Sequence, residues 1–437
     1  KKQWRSLGLA ISARLLRTVF RGFPASYCSA LASLHQKYPN WQFVPVQTGL
    51  DWNTVVSNES LVGRNLIQNS VNDARKSTDS QAYNWETNKW YGFDGASWVS
   101  ASPEYIAYCI DPRNFLNENQ IFQFETLEYA GYQNAAGVQS VLSNTFMAGN
   151  YTDTDGAVRS YAHTFVEIGS NVGVSPYHLA SRCKQEQGVR GTSDLISGRY
   201  SNYAGYYNYF NVRAFTTSSA SAIVNGLEYA KLQGWNSIYK SIAGGSSVVA
   251  DNYVKKGQNT IYFEKFNVVY TNSLYAHQYM TNVQAAMSEG TNMGKAYTDK
   301  NQAFVFRIPV YQNMPESAVT FADKGNPNNW LSSITVDGYA LTPAFSGANT
   351  SYSLVVPDSA ASINVGATAV AGTSTVSGTG NYSLNYGDNT IQITCISQSG
   401  DSRTYTLIVA RAGAVPAEPF RWRMTRRLRH SIRSEPM

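Results

Sequence analysis

The chemistry in this chain is concentrated between residues 172 and 212. The segment VSPYHLASRCKQEQG (174–188) predicts a helix over 176–187. Ser175 suits its N-cap, Pro176 its first helical position and Gly188 the residue just past its end. Tyr177, Leu179, Ala180 and Cys183 give the helix an apolar face. Glu186 then falls in the last turn, where the carbonyl ends of the helix disfavour negative charge. Partial burial would push in the same direction. Both effects favour a protonated carboxyl near neutral pH, and a general acid needs one.

A second cluster follows at RYSNYAGYYNYFNV (199–212), where five tyrosines fall within ten residues. Gly205 spoils helical spacing, so a loop or turn is predicted. The tyrosine rings of this segment, Tyr206 and Tyr207 among them, could stack on pyranose faces, and Asn208 could bridge an N-acetyl amide. In YAHQYMTNVQAAM (275–287), Tyr275, Tyr279, Val283 and Met287 recur every fourth residue and predict a core helix over 274–288. No GxSxG, Walker or GxGxxG pattern occurs. Cys28, Cys109, Cys183 and Cys395 are far apart, and the 5 histidines form no HxxxH or HExxH pair. These spacings predict no metal site and no cofactor.

These segments need elements to hold them. Helices are predicted over 220–233 and 237–254 as well as 176–187. Near the start, Ser26 is read as a cap after Pro24, with Tyr27, Leu31, Leu34 and Tyr38 on one helical face. Asp111-Pro112 is read as a further cap. Residues 23–317 form a mixed region in which helices dominate from 157 to 290, and 318–330, ending in FADKGNPNNW, form a linker. Residues 331–411 are short β-branched runs separated by Gly, Asn, Asp and Pro, the pattern of a β-sandwich. The fold class expected is α+β and multidomain: a mainly helical domain, then an all-β sandwich.

Charged residues make up only 15% of the chain, and its 30 tyrosines join many amides and hydroxyls in a composition suited to sugars. The net charge of +6 sits in the ends. Residues 1–22 carry six basic residues and no acid; residues 420–437 carry six arginines against Glu435. The body between them is mildly acidic, which argues against nucleic-acid binding. No apolar run reaches the length of a transmembrane helix. Residues 1–22 read as a degraded signal peptide or as a segment foreign to the folded body. Residues 412–437 read as a disordered basic tail.

Taken together, FPASYCSALASLHQKYPNWQF (23–43), TGLDWNTVV (48–56), YCIDPRNFLNENQIFQFE (108–125), VSPYHLASRCKQEQG (174–188), AGYYNYFNV (204–212), GQNTIYFEKFN (257–267) and YAHQYMTNV (275–283) resemble the bacterial peptidoglycan N-acetylglucosaminidases of glycoside hydrolase family 73. Residues 331–411 resemble the cadherin-like β-sandwich modules often appended to such enzymes. The resemblance implies a lysozyme-like catalytic domain with its core at about 140–317, and hydrolysis of the β-1,4 bond after N-acetylglucosamine, with Glu186 as the acid. It implies substrate contacts for Tyr207 and Asn208, support from Phe210, and a cleft position for Tyr275. It further implies a secreted or wall-associated protein whose partners are peptidoglycan glycan strands and, through the sandwich, other wall polymers.

A second carboxylate is left open among Asp194, Glu228 and Glu264. A third route needs none, because the substrate's own acetamido oxygen attacks the anomeric carbon. Two other functions compete: a lytic transglycosylase on the same glycan, and a wall-binding protein without turnover.

Overall fold

A computed structural model describes residues 20–297 and 299–413. The expectations for residues 1–19 and 414–437 lie outside the described residues. The described residues divide into two compact units, 20–84 with 89–325, and 85–88 with 326–413.

The first unit begins with helix α1 (Ala25–Lys37), which buries Tyr27, Leu31 and Leu34 as their spacing predicts. Ser26 does not cap it. The residue before the helix is Pro24, and the Ser26 hydroxyl instead accepts a hydrogen bond from Arg113. Strand β1 (Gln42–Asp51) pairs in parallel with β2 (Val305–Gln312), a partner more than 250 residues away, from Gln42↔Val305 to Gln47↔Val310. Trp41, Phe122, Phe304 and Phe306 pack around this pair with ring centroids 4.9–6.1 Å apart.

Between these strands lie α2 (Trp52–Glu59), three short antiparallel strand groups, α3 (Pro103–Ile110) and α4 (Ala135–Leu142). Helices α5 (Tyr161–Val172), α6 (Pro176–Gln187), α7 (Ala222–Leu232), α8 (Ile238–Asn252), α9 (Ile261–Lys265) and α10 (Ala285–Ala296) follow. The predictions for α6, α7 and α8 agree with these helices. Asp111 does cap the turn after it, but that turn is a four-residue 3₁₀ segment.

The helix predicted over 274–288 starts eleven residues late, at Ala285. Residues 274–284 form a loop in which Tyr275 and His277 take positive φ of 61° and 54°. The regular four-residue spacing of Tyr275, Tyr279 and Val283 reflects burial along an irregular path, with tertiary partners overriding helical preference.

The second unit is a sandwich of two sheets. One contains β3 (Leu331–Val336), β5 (Ser362–Ala369) and β7 (Gly380–Ser383) in the order β3-β5-β7. The other contains β4 (Ser351–Val356), β9 (Ser402–Arg411), β8 (Gly387–Ile396) and β6 (Thr375–Ser377) in the order β4-β9-β8-β6. In β4, Tyr352, Leu354 and Val356 are buried and the residues between them exposed, the two-residue alternation of a half-buried strand. These side chains meet Ile391, Ile393, Tyr405, Leu407 and Val409 in one core. Among the described residues, no helix is long and apolar enough to cross a membrane.

Candidate active site

Helix α6 is built as its residue types require. Ser175 Oγ accepts from the His178 amide, Pro176 opens the helix, and Gly188 leaves it with φ of 68°. Arg182, Cys183 and Gln187 are buried, and Glu186 is half-buried in the last turn. It faces a cleft of about 270 Å³. Arg182 of the same helix, Phe210 to Val212 of the following turn, Val248 and Asn252 of α8, and Tyr279 also line this cleft.

Both carboxylate oxygens of Glu186 have protein partners. Tyr279 donates its hydroxyl to Oε1 at 2.5 Å, and Asn211 Nδ2 donates to Oε2 at 2.8 Å and to the Glu186 backbone carbonyl at 3.0 Å. Asn211 is itself oriented by Gln187, whose Nε2 donates to its Oδ1 at 2.7 Å and to the Tyr209 carbonyl at 3.0 Å. The last two residues of α6 therefore clasp the tyrosine-rich turn.

That turn is a folded unit in its own right. Tyr209 is buried, with its hydroxyl 2.8 Å from that of Tyr161 and its amide on Ser241 Oγ. Phe210 enters the cleft wall over Gly245, where a Cβ would meet its ring at 2.3 Å. Asn211 takes a positive φ of 50°, a conformation asparagine tolerates better than most residues.

Several sequence expectations change here. Asn208 is fully buried. Its Nδ2 donates to the carbonyls of Val212 and Gly226 at 2.8 and 2.9 Å, and its Oδ1 accepts from the Val212 amide at 3.0 Å. Its amide is thus occupied by the backbone and leaves nothing for a sugar; Asn211, three residues on, holds the cleft position. Tyr206 and Tyr207 are half-buried, and Tyr207 packs on Gly198. Neither lines the Glu186 cleft, and neither does Tyr275; Phe210 does. Tyr279 takes the place expected for Tyr275. The sequence conceals its role because the stripe it belongs to reads as helix. Among the described residues that line this cleft, Glu186 is the one carboxylate.

The three candidates for a second acid lie elsewhere. Asp194 and Glu228 are exposed. Glu264, on α9, is buried behind the site, with Arg182 Nη2 at 2.8 Å and His178 Nε2 at 3.3 Å from its Oε2. Burial raises the cost of its charge, but Arg182 and His178 outweigh that and hold the carboxyl below its ordinary range. Glu289 of α10 is also buried, and burial pushes its pKa up to about 7 against the pull of Gln185 and Arg182. Among the described residues, no group of three or more His, Cys, Asp and Glu is placed to hold a metal ion.

Residues 331–412 match the family model of the cadherin-like β-sandwich domain. Over 226 residues, 49% of its length, the chain is 28% identical to a bifunctional autolysin of Staphylococcus epidermidis, and the match spans 16% of that relative. A bifunctional autolysin of Staphylococcus aureus is 26% identical over 225 residues, again 49% of this chain and 17% of the relative. The chain thus spans about a sixth of the length of the curated relatives it matches. Among solved structures it is similar to Staphylococcus aureus glucosaminidase B, at 21% identity and a TM-score of 0.44, over 62% of this chain and 94% of that one.

Proposed function

We propose that this protein is a secreted peptidoglycan hydrolase that cleaves the β-1,4 bond after N-acetylglucosamine, with Glu186 as general acid. The observation that carries this reading is a single glutamate, half-buried at a helix end, held by Tyr279 and Asn211 and open to a cleft. The sequence similarity to bifunctional autolysins supports the substrate class. The cleft walls combine apolar side chains with Asn211, Asn252 and tyrosine, a mixture that suits the C–H faces and amide groups of N-acetylated sugars. Glycosidases with two protein carboxylates need them roughly 5–9.5 Å apart. A cleft lined by one carboxylate favours the route in which the substrate's acetamido oxygen attacks the anomeric carbon while Glu186 protonates the leaving oxygen. The sandwich serves as a binding or spacing module for wall polymers.

Replacing Glu186 with Gln tests the assignment, read by zymography on cell walls and by turnover of soluble glycan fragments. The variant is expected to fold like the parent and to lose about 10²–10⁴-fold in rate, the usual worth of general acid catalysis. Activity within a few-fold of the parent would overturn it. Mass spectrometry of the digest separates hydrolysis from transglycosylation: reducing N-acetylglucosamine ends are expected, and 1,6-anhydro-muramoyl ends would favour the transglycosylase.

A further inference from the structure

Glu264 is an ionisable group that the reaction proposed above does not use. It does not line the Glu186 cleft, so it cannot act on a glycan there as base or nucleophile. It is nevertheless fully enclosed and ion-paired. A buried ion pair is weak evidence of stabilisation, since well-packed apolar replacements are often neutral or better. The pair does lie directly against Tyr279.

The contacts run in one direct chain. Glu264 Oε2 receives Arg182 Nη2 at 2.8 Å. The Arg182 guanidinium lies on the Tyr279 ring, 3.3 Å from its centroid, and 4.8 Å from the ring of Tyr253. The Tyr279 hydroxyl donates to Glu186 Oε1. The backbone of Glu264 grips the same residue from the other side, its carbonyl accepting the Tyr279 amide at 2.9 Å.

Tyr279 needs such anchorage because it sits in the irregular 274–284 loop, with no helix to fix it. Neighbouring contacts hold this loop point by point. Gln278 Nε2 donates to both oxygens of Glu59 at 2.8 Å, and Gln258 Nε2 donates to the His277 carbonyl at 3.1 Å. A planar guanidinium also suits this position better than an ammonium, because it can stack on a ring and pair with a carboxylate at once.

We propose that Glu264 and Arg182 are a positioning pair that sets the Tyr279 hydroxyl on the Glu186 carboxylate, so that Glu264 acts on the reaction through Tyr279 and without touching substrate. This rests on Glu186 being the acid. Displacement of a reacting group by about 1 Å can cost on the order of 10²-fold in rate, so a loosened Tyr279 lowers kcat with little effect on KM.

The test uses the full chain. Glu264→Gln, Tyr279→Phe and the double variant are assayed on a soluble glycan fragment. Each single change is expected to lower kcat by about 10- to 100-fold with KM within about threefold, and the double variant is expected to be no slower than the slower single. Losses that multiply in the double variant would overturn the proposal, because Glu264 would then act independently of Tyr279.

Glu264→Gln leaves Arg182 unpaired in the interior and risks misfolding, so Arg182→Lys provides a second arm. It keeps the charge for Glu264 but removes the stacking plane. Its Tyr279 ring resonance, followed in ¹³C-tyrosine-labelled protein and assigned by its absence from Tyr279→Phe, is expected to shift while kcat falls. A parental kcat with an unmoved resonance would refute the pair's role. The two failures are distinct: a wrong acid shows as turnover in Glu186→Gln, and a wrong pair as an unchanged Arg182→Lys.

Discussion

Two asparagines three residues apart have opposite tasks in this protein. Asn208 ties the turn together through Val212 and Gly226, and Asn211 ties the turn to Glu186. Removing the Asn208 amide leaves buried backbone groups without partners, at about 1–3 kcal/mol each. Asn208→Ala is therefore expected to melt several degrees lower while turnover per folded molecule stays near the parent value. Asn211→Ala removes the donor to Glu186 Oε2 at a part-exposed position. It is expected to lose about 10-fold or more in kcat, with a smaller fall in melting temperature than Asn208→Ala, the strain of alanine at a positive φ included. Calorimetry beside kinetics on the same preparations checks both, and the reverse pattern would exchange their roles. The motif NYFNV contains both residues, and its composition alone does not distinguish them. Which amide turns inward depends on the path of the backbone between Asn208 and Asn211, a path set by Leu195, Ser241 and Gly226 from elsewhere in the chain.

At the scale of elements, the junction after the 3₁₀ turn Ile121–Phe124 carries a pH signature. Glu125 is fully buried, and its Oε1 accepts from the hydroxyls of Tyr297 and Tyr132. Burial pushes its pKa up to about 8, with the two tyrosines only partly offsetting it. A carboxyl whose folded pKa lies above its unfolded value favours folding fully at low pH. That contribution is lost as pH rises from the unfolded value near 4.5 through about 8. Within this window the unfolded chain has released a proton that the folded protein retains, so this group lowers stability by up to about 1.4 kcal/mol per pH unit. Glu125→Gln keeps an acceptor for Tyr297 and removes the titration. The variant is expected to gain in melting temperature over the parent at pH 8 and to gain little at pH 4.5. Equal differences at both pH values would count against a neutral buried Glu125. Helices with good caps and apolar faces, α6 to α8, are legible in the sequence itself. The 274–284 loop is not, because residues distant in sequence hold it: Gln258 bonds the His277 carbonyl, Glu59 the Gln278 side-chain amide and the Glu264 carbonyl the Tyr279 amide.

At the scale of the molecule, the end of the first unit is pinned by its own interior. Arg113 donates to the carbonyls of Pro315 and Ser317 at 2.8 and 3.0 Å, Asn114 to that of Val319 at 2.9 Å, and Asp111 accepts the Val319 amide at 2.9 Å. Phe321 then packs on Tyr105 with ring centroids 4.9 Å apart. A chain of residues 20–325 is expected to retain turnover on soluble fragments. A chain ending at 317 loses the Val319 bonds and Phe321 and is expected to melt at least a few degrees lower. Loss of turnover by a folded 20–325 chain would mean that the sandwich contributes to the site.

The sequence alone determined whatever local chemistry and periodicity can encode. That includes the α6 helix with Glu186 in its last turn, helices α7 and α8 after it, and the alternating strands of the β-rich region. Each is decided within about a dozen residues by caps, turn formers and the spacing of apolar side chains. The tertiary structure decided which polar groups meet. Tyr279 lies 93 residues from Glu186, Glu264 lies 82 from Arg182, and Gln278 lies 219 from Glu59. No local rule relates such pairs, because a buried donor can be satisfied by any acceptor that packing brings within about 3 Å. The same reason moved Asn208 and Tyr275 out of the site and brought Asn211 and Tyr279 into it.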